Sequence, residues 1–189
     1  MKTPAVGMIL LLAVIGPTSA TAVNAKDWDA ANAATVRLKP AAFATLPVTV
    51  RSYLEQRGCA IPQSVFDKTP HNVVRGRFTA ATRTDIAILC SIDKVSTVLV
   101  FPGGGTSEVL ELARRPDKGF LQVVKPGVVG YARVLGVADR RYIRKHHAAY
   151  GGLQPPALDH DGINDTFVEK ASVVWYWYQD KWLKLQGAD

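Results

Sequence analysis

Short runs of β-branched and aromatic residues alternate with turn residues over most of the chain after residue 71. The clearest run has Ile86, Ile88 and Cys90 on one face and Ala87 and Leu89 on the other. Since both faces are apolar, this run predicts a central strand that is covered on both sides. The same pattern predicts strands at 72–79, 84–92, 96–101, 109–113, 120–124, 128–137, 171–178 and 182–186.

Helical spacing of apolar residues is confined to two regions. Pro47 can open a helix that ends at Gly58, after an alanine-rich stretch that is partly helical and has Pro40 at the start of a short turn. A second helix is predicted between Asp139, near its N-terminus, and Gly151, which ends it. Together the patterns predict an α+β fold, mainly an antiparallel β-sheet, with N-terminal helices and one basic helix near residues 138–150.

The first 25 residues have the composition of a secretory signal peptide. Lys2 is followed by an apolar run at 5–15 and by small residues at 18–22. The run is too short to span a bilayer as a helix, and nothing later contains 18 consecutive apolar residues. We therefore expect cleavage after Ala25, a single domain over residues 26–189, no transmembrane segment, and a periplasmic or secreted location.

Two cysteines, Cys59 and Cys90, are the whole cysteine content of the chain. In an oxidising compartment an isolated pair is more often bridged than free. The alternative is a reactive thiol, but neither cysteine lies in a Cys-x-x-Cys motif. The position of Cys90 in an apolar strand favours a structural disulfide.

One pair of predicted strands resembles a family of repeats. The residues are Gly76-Arg77-Phe78-Thr79, then 83–89 (Arg-Thr-Asp-Ile-Ala-Ile-Leu), then 98–101 (Val-Leu-Val-Phe). This sequence is similar to one blade segment of the FG-GAP or VCBS repeats, which build β-propellers and often hold calcium in an acidic hairpin. The resemblance implies a hairpin here, but Arg77, Thr79 and Ala81 occupy the acidic positions and argue against calcium. It covers about a seventh of the chain.

A broader likeness covers most of the residues after the signal peptide. The string Arg57-Gly58-Cys59-Ala60-Ile61-Pro62-Gln63-Ser64 and the ending Val174-Trp175-Tyr176 with Lys181-Trp182 are similar to exported bacterial proteins of no assigned function. This resemblance implies export and brings no mechanism with it.

Positive charge is concentrated in one part of a chain whose net charge is +7. Residues 114–147 contain nine Lys and Arg against two Asp. Such a stretch favours an acidic partner, and export together with the lack of a nucleic-acid-binding motif argues against nucleic acid. The candidate partner is therefore an anionic envelope polymer or lipid. The candidate binding residues are Arg140, Arg141, Arg144 and Lys145. The alternative is a solvated face whose charges pair with Asp159, Asp161 or Glu169.

The segment at 159–165 has the oxygen density and the glycine of a calcium loop. Asp159, Asp161 and Asp165 are its candidate ligands, because hard cations require several oxygens. It resembles the second half of an EF-hand or thrombospondin-type loop, although Ala157 and Val168 occupy two ligand positions. An Asx-rich turn that bonds its own backbone is the alternative. Calcium is the one cofactor that the sequence suggests.

Two common catalytic motifs are missing: the chain has no Gly-x-Ser-x-Gly nucleophile elbow and no His-Glu-x-x-His. We therefore expect an exported binding or structural module of the cell envelope, monomeric or weakly associating. The alternative is a periplasmic hydrolase of an envelope polymer, which a single pocket containing His146, Asp159, His160 and Asp161 would favour. The predicted aromatic strand at 171–178 has Trp175 and Trp177 on one face. These rings either pack in the core or form an exposed face suited to binding sugar rings.

Overall fold

The computed structural model describes residues 24–187. Most of the predicted signal peptide, residues 1–23, lies outside this range. The helices in the described range are α1 (Ala25–Ala34), α2 (Val48–Gln56) and α3 (Arg140–Tyr150). The strands are β1 (Arg37–Leu38), β2 (Ile61–Pro62), β3 (Val73–Gly76), β4 (Asp85–Ile92), β5 (Val95–Phe101), β6 (Leu110–Pro116), β7 (Leu121–Lys125), β8 (Val128–Tyr131), β9 (Arg133–Ala138), β10 (Gly162–Phe167), β11 (Ala171–Tyr178) and β12 (Lys181–Gln186).

Two four-stranded antiparallel sheets form the body of the protein. The first has the order β3-β4-β5-β6 and the second β12-β11-β10-β9, so in each sheet neighbours in space are neighbours in sequence. Two-residue turns join β4 to β5 and β11 to β12, whereas the segment that contains α3 joins β9 to β10. Two smaller two-stranded sheets, β1-β2 and β7-β8, complete the strands of the described range.

Alternation along the strands divides the apolar residues among three cores, which we name by position. The α2 core lies between α2 and the first sheet and includes Val50, Leu54, Ile88 and Leu99. The central core joins the opposite face of the first sheet to the second sheet, and the α3 core lies between the second sheet and α3. The order of layers is therefore helix, sheet, sheet, helix.

The central strand predicted from its two apolar faces is confirmed. Ile86 and Ile88 of β4 point into the α2 core, whereas Ala87 and Leu89 point into the central core. All four are fully buried. The α+β class, the N-terminal helices and the basic helix are confirmed as well.

The disulfide is also confirmed: Cys59 and Cys90 are bonded, with their Cα atoms 5.4 Å apart. Cys59 follows α2, and Cys90 lies on the α2-core face of β4, so the bond joins these two layers. No helix in residues 24–187 has the length and apolarity needed to cross a membrane.

Three segments differ from the prediction. The region 59–70, where no strand is predicted, contains β2, which pairs with β1. The predicted strand at 128–137 is divided into β8 and β9, because Ala132 donates its N–H to the Phe120 carbonyl outside either ladder. The predicted calcium loop at 159–165 runs into β10, an internal strand of the second sheet.

Candidate functional site: the basic helix

Helix α3 has a start and an end that its sequence encodes. The Asp139 carboxylate accepts a hydrogen bond from the N–H of Tyr142 at 2.6 Å and caps the N-terminus. At the other end Gly151 has φ of +75°, a conformation that glycine adopts without steric cost, and its N–H donates to the His147 carbonyl. The helix is therefore fixed over three turns and presents a defined outer face.

Two side chains attach α3 to the second sheet. Ile143 is 1% exposed and packs in the α3 core with Val174, Tyr176 and Leu185. His146 is 5% exposed, and its Nε2 lies 3.3 Å from the Ser172 hydroxyl. Burial lowers the pKa of His146, which favours the neutral imidazole. His146 is thus a packed residue that contacts the second sheet through the Ser172 hydroxyl.

The four candidate anion-binding residues occupy the side of α3 that faces away from the sheet. At 100° per residue, Arg140, Arg144, Arg141 and Lys145 cover one continuous arc opposite Ile143 and His146. All four are exposed. Within residues 24–187 none of them forms a salt bridge, and the helix contains no acidic residue. The acids suggested as partners, Asp159, Asp161 and Glu169, do not neutralise them.

A cleft runs along one edge of this arc. Arg140 and Arg144 line it on the helix side, and the segment 154–158 lines it on the other. The cavity is about 330 Å³, and Gln154 contributes an amide to its wall. Two guanidinium groups one turn apart beside an amide can bind the oxygens of a phosphate or carboxylate by charge-assisted hydrogen bonds.

One exposed aromatic side chain borders the basic arc. Tyr142 lies next to Lys145 around the helix and is 38% exposed. Tyr150 is 52% exposed but lies on the side of Ile143 and His146, with its ring centroid 5.0 Å from that of His146. Because tyrosine places an apolar ring and a polar hydroxyl at opposite ends of one side chain, the outer surface of α3 combines four cations with one accessible amphipathic ring.

The basic stretch 114–147 does not form one continuous surface. Arg133 is fully buried and donates two hydrogen bonds of 2.8 Å to the carboxylate of Asp165. Although burial lowers the pKa of Arg133, the hydrogen bonds and charge of Asp165 outweigh it, so the guanidinium stays charged. Lys118 pairs with Asp29 at 2.6 Å. The basic surface on α3 is therefore smaller than the sequence count suggested.

The three candidate calcium ligands are not gathered around one centre. Asp165 points to Arg133, and Asp161 accepts from the N–H of Arg77 at 3.1 Å, while Asp159 is exposed in another cleft. No group of three His, Cys, Asp or Glu side chains in the described range is placed to hold a metal ion.

Gly162 has a role different from that of the turn glycine in a calcium loop. It begins β10, and a Cβ atom there would lie 2.6 Å from the Trp175 carbonyl oxygen and 3.3 Å from Ile143. The glycine lets the neighbouring strand and α3 approach closely, so it serves sheet packing.

The residues of the hydrolase alternative are divided among three places. Asp159 and His160 line a cleft with Trp177 and Tyr178. His146 lies instead under α3 beside Ser172, and Asp161 faces Arg77. The single pocket that would favour hydrolysis is not formed by these four side chains.

The hairpin expected from the FG-GAP resemblance is present as β3 and β4, with Gly76 opposite Asp85. Asp85 is fully buried, and its carboxylate accepts hydrogen bonds from the N–H groups of Phe78, Thr79 and Gly103 at 2.8–2.9 Å. The Thr79 hydroxyl donates a fourth at 2.8 Å. The chain's own groups thus satisfy the one acidic residue that remains in this hairpin.

Sequence reasoning missed the residues that line the cleft beside Arg140 and Arg144, namely Gln154 and Pro155. The useful signal was the pair Pro155-Pro156 shortly after the helix end at Gly151, because a stiff segment at that distance can run back beside the helix. Comparisons with protein-family models, with curated proteins and with solved structures gave no significant match.

Proposed function

We propose that this protein is an exported binding module that attaches to an anionic lipid surface of the cell envelope through the outer face of α3. The observation that carries the proposal is the arc of four exposed cations on one helix face, none of which has an acidic partner in residues 24–187. Unpaired cations on one face raise the local concentration of anions and retain their full charge for a partner.

The apolar border of the arc favours a lipid surface over a soluble anionic polymer. Tyr142 lies next to Lys145 around the helix and is 38% exposed, and such a side chain gains free energy by entering the interfacial layer of a bilayer. A soluble polyanion would use the cations alone. Each basic residue near an anionic membrane contributes about 1 kcal/mol, so four of them contribute roughly a thousandfold in affinity.

The separation of the hydrolase residues supports a binding module in preference to a hydrolase. Asp159 and His160 share a cleft, but His146 and Asp161 are engaged elsewhere by Ser172 and Arg77. General acid–base chemistry requires its groups within hydrogen-bond reach of one substrate position.

Vesicle co-sedimentation tests the proposal. We expect the mature protein to bind vesicles of phosphatidylcholine and phosphatidylglycerol, but not vesicles of phosphatidylcholine alone. Binding should weaken steeply above about 0.1 M salt, where screening acts over roughly 10 Å. Replacing all four cations of the arc with glutamine should abolish it.

A matched variant controls for total charge. It replaces four exposed lysines elsewhere that form no salt bridge within the described range: Lys39, Lys68, Lys125 and Lys170. This variant should retain vesicle binding although its net charge equals that of the α3 variant. Equal losses in both variants would contradict the proposal. Retention on soluble polyphosphate without vesicle binding would assign the surface to a polymer instead.

A further inference from the structure

A second cleft lies on the opposite face of the second sheet from α3. Its walls come from the end of β6 and the turn after it on one side, and from β10, β11 and β12 on the other. It is therefore an opening between the two sheets, where the central core reaches the surface. The cavity is about 390 Å³, which lies within the usual range for small-ligand pockets.

Three aromatic rings line this cleft. Phe120 and Phe167 meet edge to face with their centroids 5.6 Å apart, and Trp175 of β11 lies on the neighbouring wall. Trp175 and Phe120 are half-buried, so each supports the central core and also presents part of its ring to the opening. Flat apolar rings suit the C–H face of a sugar ring.

Two cations stand beside the rings. Lys184 is directly opposite Trp175 in the β11–β12 register, and its Nζ is 5.8 Å from the indole centroid. Arg115 at the end of β6 lines the facing wall. Both are exposed, and neither forms a salt bridge within residues 24–187. They are arranged to bind an acidic group of a ligand that stacks on Trp175.

Asp165, the acid on the cleft wall, does not cancel these cations. Its carboxylate is bound by both Nε and Nη2 of the buried Arg133, whose guanidinium lies 4.3 Å from the Phe120 centroid. The Arg133–Asp165 ion pair has no net charge, and it forms the inner wall of the cleft. The net charge available to a ligand is therefore that of Arg115 and Lys184.

We infer that this cleft is a binding site for an acidic saccharide of one or two rings, with Trp175 under a sugar ring and Lys184 and Arg115 at its carboxylate. Gln186, which also lines the cleft, supplies an amide for sugar hydroxyls. The inference is independent of the proposed α3 surface, because the two sites lie on opposite faces of the sheet.

Titration with a digalacturonate, followed by calorimetry and tryptophan fluorescence, tests this inference. We expect the free acid to bind and its methyl ester, which has the same rings without the charges, to bind at least tenfold more weakly. Lys184→Gln should weaken binding of the acid about tenfold, and Arg115→Gln with Lys184→Gln should remove it.

Lys181→Gln is the matched control, because Lys181 is an exposed lysine on the same strand that does not line the cleft. It should leave binding unchanged, as should the four glutamine substitutions in α3. Equal binding of the acid and the ester, no binding of either, or equal effects of Lys184→Gln and Lys181→Gln would overturn the inference. None of these results bears on vesicle binding by α3.

Discussion

Two buried charge pairs in this protein join residues that are distant in sequence. Asp117 is fully buried and accepts from Arg37 Nε and Nη2 at 3.0 and 2.7 Å. The hydroxyls of Ser91 and Ser96 donate to it as well. Arg133 and Asp165 form the second such pair. Because an unpaired charge inside a protein is strongly unfavourable, each pair specifies how the strands that carry it must meet.

The buried pair Arg133–Asp165 should be far more sensitive to substitution than a surface pair. Asp165→Asn leaves the guanidinium buried without a counter-charge, and we expect a loss of about 3–5 kcal/mol in the free energy of unfolding. The double variant Arg133→Met, Asp165→Leu should lose less than the single one. Urea denaturation measures both.

Glu111→Gln provides the comparison, because the Arg57–Glu111 pair is substantially exposed. It should change stability by less than about 1 kcal/mol. If Asp165→Asn lowered the free energy of unfolding as little as Glu111→Gln, the buried pair would have no part in specifying how β9 and β10 pair.

His146 should make stability depend on pH. Its pKa in the folded protein lies below its ordinary value of 6.5 because the ring is buried between Tyr142, Tyr150 and Ser172. On acidification the unfolded chain therefore binds this proton first, and the folded state loses stability as the pH falls below about 6.5. His146→Gln removes this contribution, so its melting temperature should fall less than that of the wild type between pH 7 and pH 5. Parallel profiles would contradict the assignment.

At the scale of elements, two hairpins use turns with unfavourable residues. Gln179 and Asp180 join β11 to β12 with φ of +48° and +58°, and Asp93 and Lys94 join β4 to β5 with φ of +51° and +61°. Two successive positive φ values define the type I′ turn, which matches the twist of the flanking strands and prefers Asn-Gly. The strand pairing therefore imposes these conformations on the turn residues.

Replacing Gln179-Asp180 with Asn-Gly should stabilise the protein by about 1 kcal/mol, because non-glycine residues are strained in the left-handed region. The opposite change, Gly127→Ala in the β7–β8 turn, should destabilise it, since Gly127 has φ of +71° and open space around its Cα. Thermal unfolding of both variants checks the signs. A destabilised Asn-Gly variant would show that the Gln179 or Asp180 side chain has a role of its own.

Elements with a regular pattern were predictable from the sequence, and β10 shows where this fails. The alternation along β4 and the Asp139 and Gly151 signals of α3 depend on neighbouring residues, so both elements could be predicted. The composition of β10 is that of a turn, and it forms a strand because β9 and β11 pair with both of its edges. Asp165 is tolerated there only through Arg133, which the sequence does not identify as its partner.

The candidate sites were predictable to unequal degrees for the same reason. The four cations of α3 are close in sequence, and their shared face follows from helical geometry. The inter-sheet cleft brings Arg115 and Phe120 beside Trp175 and Lys184, more than 50 residues away in the chain. Only the packing of the two sheets creates that arrangement.

For the whole molecule, the disulfide stabilises the layer that holds α2 against the first sheet. Its cysteines are 31 residues apart, and closing such a loop contributes roughly 3–4 kcal/mol through the unfolded chain. We expect reductant to lower the melting temperature and the double variant Cys59→Ala, Cys90→Ala to melt at a similarly low temperature without reductant. Intact mass after alkylation of the native protein should show no free thiol. Two alkylated cysteines would contradict the assignment.

The α2 core and the α3 core are built from separate parts of the chain, and the part that forms the α2 core is synthesised first. The α2 core draws only on residues 38–109, and the α3 core only on residues 138–185. We expect a chain that emerges N-terminus first to complete one helix-covered sheet before the strands of the second sheet arrive. The finished sheet would then present an apolar surface on which the later strands assemble, and the N-terminal half would act as a folding template for the C-terminal half.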